Sequence, residues 1–243
     1  MYDTSFDDSR SPRTDRTVLW TLRVAGLIAT IAAASADAQM PGAPVLQNAW
    51  STPGIVGAVN VTGGSDGSTY AAAGSWAPGS ARFQFSGGIG YQTRTGSSSS
   101  VAYGARVAMP FGGASSSFGF AAFAGVGGGG SVTKKTTPSV SLDTLADSTV
   151  STAQVPVGIG IGWRRGFGGT RGASLYATPS YIFYTGGSHA GGLFRTSVAA
   201  DFGITQRIGA TAGIEFGATR PRAIGGPSGT LYGVGVSYAL GRR

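Results

Sequence analysis

After residue 53 the chain is governed by an alternation of period two that returns ten times. In "ARFQFSGGIGYQ", residues 81–92, the odd positions hold Ala81, Phe83, Phe85, Gly87, Ile89 and Tyr91. The even positions hold Arg82, Gln84, Ser86, Gly88, Gly90 and Gln92. One parity is apolar with aromatics at its ends, and the other is polar or bare. The same division separates Val155, Val157, Ile159, Ile161 and Trp163 from Pro156, Gly158, Gly160 and Gly162. It recurs at Val101, Tyr103, Ala105, Val107, Met109 and Phe111, and again at Tyr232, Val234, Val236, Tyr238 and Leu240. Successive side chains of a strand point to opposite faces, so each run reads as a strand with one apolar face.

Ten such strands are expected near 54–62, 68–76, 80–92, 100–111, 116–126, 154–164, 172–184, 193–205, 209–219 and 230–240. They are long beside the about 5–6 residues usual in soluble sheets. They match the about 9–11 residues of a tilted strand that crosses a bilayer. Glycine supports the same reading. It fills 43 of 243 positions, against a usual share of about 7%. A Gly-rich face packs almost nothing, so these strands do not each bury two faces in a core. Charged residues make up only 12% of the chain, too few to hold it open by self-repulsion.

The expected fold is therefore all-β: a closed antiparallel up-and-down transmembrane β-barrel over 54–243. Ten strands are expected, or eight if the 54–76 hairpin stands outside the wall. An even number returns both ends to one side. Counted this way, the turns on that side are 77–79, 112–115, 165–171 and 206–208. The loops on the other side are 63–67, 93–99, 127–153, 185–192 and 220–229, which places the longest connection there.

Aromatics of the apolar parity fall at two heights. Tyr70, Tyr91, Tyr103, Tyr181, Phe183, Phe194, Phe216 and Tyr232 lie toward the outer loops. Trp76, Phe83, Phe111, Phe118, Trp163, Phe202 and Tyr238 lie toward the inner turns. Between them the face is mostly Ala, Val, Ile and Gly. Headgroup boundaries select two such girdles, because amphipathic rings favour that depth. A mere preference of aromatics for strands would not sort them by height.

Ahead of the strands, "TLRVAGLIATIAAASADAQ" has the parts of a secretory signal. Arg13, Arg16 and Arg23 give positive charge, Val24–Ala34 a short apolar core, and Ala36-Asp37-Ala38 a small-residue exit. Residues 1–38 are expected to be removed, although Asp3, Asp7, Asp8 and Asp15 make an unusually acidic preamble. Residues 39–53 would then be a periplasmic lead-in. The remaining chain carries 14 basic and 5 acidic residues. Its basic residues are scattered, with only Lys134-Lys135, Arg164-Arg165 and Arg242-Arg243 adjacent. That pattern points away from nucleic acid and toward anionic lipid headgroups.

The signal ending "ASADAQ", the strands "FQFSGGIGYQ" and "VPVGIGIGWRRGF", and the final "LYGVGVSYALGRR" together resemble the small porin-like, opacity-type outer-membrane β-barrels of Gram-negative bacteria. The likeness is one of pattern and spans about residues 50–243. It implies integral residence in the outer membrane, contact with its lipid, and insertion by the barrel assembly machinery. That machinery usually reads a last strand ending in an aromatic residue. This chain departs from the pattern, since Ala239, Leu240, Gly241, Arg242 and Arg243 follow Tyr238.

Few residues suggest chemistry. Arg106, Arg195, Asp201 and Glu215 fall on the lumen parity, with Arg82 near the inner rim. A turn at 206–208 would set Asp201 opposite Gly213 and diagonal to Glu215. Such a pair could act as acid and base, but no nucleophile accompanies it. The expected role is an internal ion-pair plug, with Arg106 and Arg82 reaching across to neutralise the acids. His189 is the sole histidine and adjoins Ser188 in an expected Gly-rich loop, where no third group orients it. With one His and no Cys, neither a metal site nor a cofactor is expected. The function expected is a non-enzymatic outer-membrane barrel with a structural role or limited passage or binding of small solutes. The alternatives are an outer-membrane barrel hydrolase acting on lipid or peptide, and a secreted soluble β-sandwich. The residues leave the oligomeric state open.

Overall fold

The computed structural model describes residues 54–65, 67–79, 83–94, 97–111, 116–133, 148–166, 172–186, 189–219 and 229–240. The expected signal at 1–38, the segment 39–53 and Arg82 lie outside the described residues. Ten strands run in chain order: β1 Gly54–Gly64, β2 Gly67–Ala77, β3 Gln84–Arg94, β4 Ser97–Phe111 and β5 Phe118–Thr133. They continue as β6 Ser148–Gly166, β7 Gly172–Gly186, β8 His189–Gly203, β9 Ile208–Gly217 and β10 Leu231–Ala239. Each strand pairs antiparallel with the one before it, and β1 pairs with β10, from Val56 opposite Ala239 to Gly64 opposite Leu231. The sheet is thus closed, and the 54–76 hairpin is part of the wall, which decides for ten strands over eight. Closure gives every strand two neighbours and leaves no unpaired edge.

Tight turns set the register. Gly64 faces Gly67 across residues 65–66, and Gly67 adopts φ 144, a backbone conformation that side-chain-bearing residues avoid. Between β8 and β9 the Thr205 hydroxyl accepts the N–H groups of Arg207 and Ile208 at 3.2 and 3.0 Å. The Ile208 carbonyl accepts those of Ile204 and Thr205. A hydroxyl that mimics a backbone turn in this way shortens the connection. The ladder consequently sets Asp201 opposite Thr211 and Ser197 opposite Glu215. Asp201 and Glu215 are therefore not the diagonal pair that a later turn would have made.

The wall is uneven in height. β4 to β8 have 15 to 19 residues, whereas β9, β10, β1, β2 and β3 have 9 to 11. The β5–β6 ladder continues to Thr133 opposite Ser148. Nearly half of the expected 127–153 loop is thus strand, and the connection narrows to 134–147. The expected loops 93–99 and 185–192 likewise shrink to 95–96 and 187–188, so that His189 opens β8 opposite Gly186. Runs such as Ser97–Ser100 and Gly127–Gly130 have no apolar parity to betray a strand. Backbone pairing extends the ladder through them regardless.

Along each strand the apolar parity faces outward. Val59, Ile89, Val107, Ile159, Leu175, Ile214 and Val236 are all exposed, each on a different strand. The buried residues include Asn60, Thr62, Gln92, Arg106, Gln154, Thr178, Arg195, Ser197 and Glu215. Polar groups inside and hydrocarbon outside invert the order of a water-soluble protein. Bare positions inside the wall make room for large inward side chains. A Cβ on Gly158 would lie 2.6 Å from Cζ of Phe123 and 2.5 Å from the Pro179 carbonyl oxygen. Tyr176 has Gly162 as its ladder partner.

Candidate functional site

The closed barrel defines two surfaces that chemistry can use, a girdled exterior and a polar lumen. On the exterior, Tyr70, Tyr91, Tyr181, Phe183, Phe194, Phe216 and Tyr232 are exposed toward the end with the 95–96 and 187–188 connections. Trp76, Phe83, Phe111, Phe118, Trp163, Phe202 and Tyr238 are exposed toward the end where β1 begins and β10 finishes. Phe85 and Phe120 join this second group, and Trp76 stacks on Phe85 with ring centres 5.7 Å apart. Tyr103 differs. It faces outward, but its ring leans across the ladder onto Gly128, only half-buried and with its hydroxyl shut from solvent. A bare outward glycine draws the ring onto the wall and out of the girdle.

The lumen holds two clusters at different heights. In the half away from the chain ends, Arg195 of β8 donates from Nε to Oε1 of Glu215 of β9 at 2.6 Å. Ser197 donates to the other carboxylate oxygen at 3.3 Å. The guanidinium goes on to bridge backbone on both sides of the β9–β10 connection. Its Nη1 donates to the Ala218 carbonyl at 2.8 Å, and Nη2 to that of Gly229 at 2.9 Å. Both partners of the ion pair are buried, with side-chain exposures of 2% and 6%. A buried pair is tolerated when its remaining donors and acceptors are satisfied, as here.

In the half nearer the chain ends, Asp201 accepts hydrogen bonds from three hydroxyls. Thr211 donates at 2.6 Å, Ser174 at 3.3 Å and Tyr176 at 3.4 Å. Arg106 is buried close by and lies over the face of Phe123, 4.4 Å from its centre. Its Nε and Nη1 have no hydrogen-bond partner. The expected plug, in which Arg106 neutralises the acids, is therefore replaced by a different division. Glu215 is held by Arg195 from the neighbouring strand, Asp201 by hydroxyls, and Arg106 by an aromatic face. Short cross-strand distances favour local partners over reaches across a lumen. Arg82 lies outside the described residues.

The alternation singles out neither Phe123 nor Tyr176. Phe123 carries a signal, as a large aromatic on a parity otherwise filled by Gly, Ala, Ser and Thr, whereas Tyr176 shares its parity with Ile182 and Tyr184 and carries none. His189 is exposed at the start of β8 and its neighbour Ser188 lies outside the described residues. Among the described residues no group of three His, Cys, Asp or Glu side chains is arranged to hold a metal.

A closed antiparallel barrel with hydrocarbon outside and paired charge inside has the architecture of a transmembrane β-barrel. No protein-family model matches the sequence, and no curated protein matches it. Among solved structures, the chain is similar to the beta domain of the Bordetella autotransporter Brka, with a TM-score of 0.46 and 12% identity over 78% of this chain and 100% of that one. It is also similar to a KdgM porin, with a TM-score of 0.38 and 12% identity over 76% and 99% of the two chains. OmpT, an outer membrane protein of Vibrio cholerae, aligns with a TM-score of 0.26 and 10% identity over 76% and 96%. The fold assignment rests on the continuous strand ladder of this chain and not on those likenesses.

Proposed function

We propose that the protein is an integral outer-membrane β-barrel with an occluded lumen. Its role is structural, or restricted to binding and slow passage of small solutes, and it carries out no catalysis. The observation that carries this reading is the burial of the side chains lining the lumen. Thr178 is 0% exposed, Tyr176 1%, Arg195 2% and Gln154 3%, and they come from three different strands. An open aqueous channel would wet its wall. A ten-stranded barrel is narrow enough for side chains to fill. The two lumen acids support the absence of catalysis, because each is already engaged by neighbouring donors and neither stands ready as a base.

The apolar exterior supports membrane residence, and the signal-like leader supports export. The test combines extraction with recording. The protein is expected to stay with membranes in carbonate or urea, to migrate differently on gels before and after heating, and to conduct far less than an open porin in planar bilayers. Release into the soluble fraction would remove the membrane reading. A large steady conductance would remove the occlusion.

A further inference from the structure

One end of the barrel is basic. At the end where β1 begins and β10 finishes, the described turns and strand tips contain Arg164, Arg165 and Arg207 and no Asp or Glu. Among the described residues the only acid in this half of the wall is Asp201, which turns inward to Thr211, Ser174 and Tyr176. Among those residues, Arg165 and Arg207 therefore have no Asp or Glu beside them on the outer side.

These arginines sit next to the girdle. Arg164 and Arg165 directly follow Trp163. The exposed Arg207 donates from Nη1 to the Tyr238 hydroxyl at 3.3 Å. Arg164 is tied at Nε to the Ser116 carbonyl at 3.1 Å, which braces the tip of β6 against the approach to β5. Girdle rings mark the depth of the headgroups. Guanidinium groups beside them meet phosphate at the same depth, and arginine is well shaped to grip phosphate oxygens.

We infer that this rim is a binding surface for anionic phospholipid headgroups in the leaflet surrounding the chain-end side of the barrel. The inference rests on the membrane reading above. Contact with the girdle favours a lipid over a soluble acidic polymer, which would need no aromatic neighbours. Each basic residue near an anionic surface is worth about fivefold in association. Because several arginines share one ring of lipid, a net preference of about fivefold for phosphatidylglycerol over phosphatidylcholine is expected.

The test reconstitutes the full chain and measures, with spin-labelled lipids, how much phosphatidylglycerol and phosphatidylcholine is immobilised at the protein surface. Arg165→Gln with Arg207→Gln is expected to bring the preference close to unity, and high salt to weaken it in the unaltered protein. Arg165→Gln alone, at an exposed strand tip, gives a partial loss and covers the case in which the double variant does not fold. Substituting Lys134 and Lys135 by Gln at the other end is expected to leave the preference intact. Equal immobilisation of both lipids by the unaltered protein would overturn the inference, and so would a preference indifferent to Arg165 and Arg207. Equal immobilisation with salt-sensitive binding of polyglutamate would assign the rim to a soluble polyanion and overturn it too. Failure of the membrane reading itself would look different, because no lipid of either kind would be immobilised.

Discussion

The tall wall, β4 to β8, and the short wall, from β9 through β10 and β1 to β3, divide the work of filling one narrow lumen. Phe123, Tyr176, Arg106, Arg195 and Asp201 all project from the tall wall. The inward positions of the short wall include Ala58, Ala71, Ala73, Gly88, Gly90, Gly213, Gly233 and Gly235, with Asn60, Gln84, Gln92, Glu215 and Leu231 as its larger groups. Bulk on one side needs its absence on the other when the space between is only a few side chains across. A bare strand face that would be a weakness in a soluble sheet is here the complement of a crowded one. The tall wall also rises further at the end away from where β1 begins and β10 finishes, on backbone pairing through Ser, Thr and Gly.

The largest expected effect on this contrast comes from the ion pair that joins the two walls. Arg195→Ala leaves Glu215 buried without its cation and frees the Ala218 and Gly229 carbonyls. A loss of about 3–5 kcal/mol is expected, read as a lower urea midpoint by tryptophan fluorescence in lipid vesicles. Replacing the pair together, Arg195→Met with Glu215→Leu, is expected to restore stability. If the double variant is as weak as Arg195→Ala, the charge argument fails and the carbonyl bridges are what matter.

The exterior comes next. Ile159→Arg at mid-height of β6 should cost about 2–4 kcal/mol, whereas a serine or glutamine on the luminal parity should cost much less. Equal penalties on both faces would break the assignment of inside and outside. Within the tall wall, Gly158→Val forces a side chain into Phe123 and the Pro179 carbonyl, and a loss of about 1–3 kcal/mol is expected. The same substitution at Gly57, on the lipid-facing parity of β1, meets open space and should be nearly silent. The smallest effect belongs to Arg106→Met. It removes two unpartnered N–H groups and gives up the contact with Phe123, so stability is expected to stay level or rise by about 1 kcal/mol. A marked fall would mean that Arg106 holds the lumen layer together as a charge.

The legible parts of this fold are those that face lipid. Val155 to Trp163 betray their strand because hydrocarbon demands one unbroken apolar parity, and the other nine strands carry a comparable mark. The unmarked parts are the tips at 127–133 and 148–153, where both faces are small or polar and only hydrogen bonding decides. Within the site, the lumen parity of Arg195 and Glu215 could be read, but their pairing could not. It depended on the Thr205 turn, which moved the β8–β9 register by two residues and set Ser197, not Asp201, beside Glu215.

Sequence alone determined that the chain forms long strands with one greasy face, because period-two alternation is local and side-chain direction in a strand is fixed by the backbone. Which charges meet was decided only in the closed barrel. Ladder register and closure bring together residues far apart in the chain, and no local pattern records a distance across a lumen. Arg106 on Phe123, Asp201 among three hydroxyls and Arg195 astride a loop are all products of that geometry.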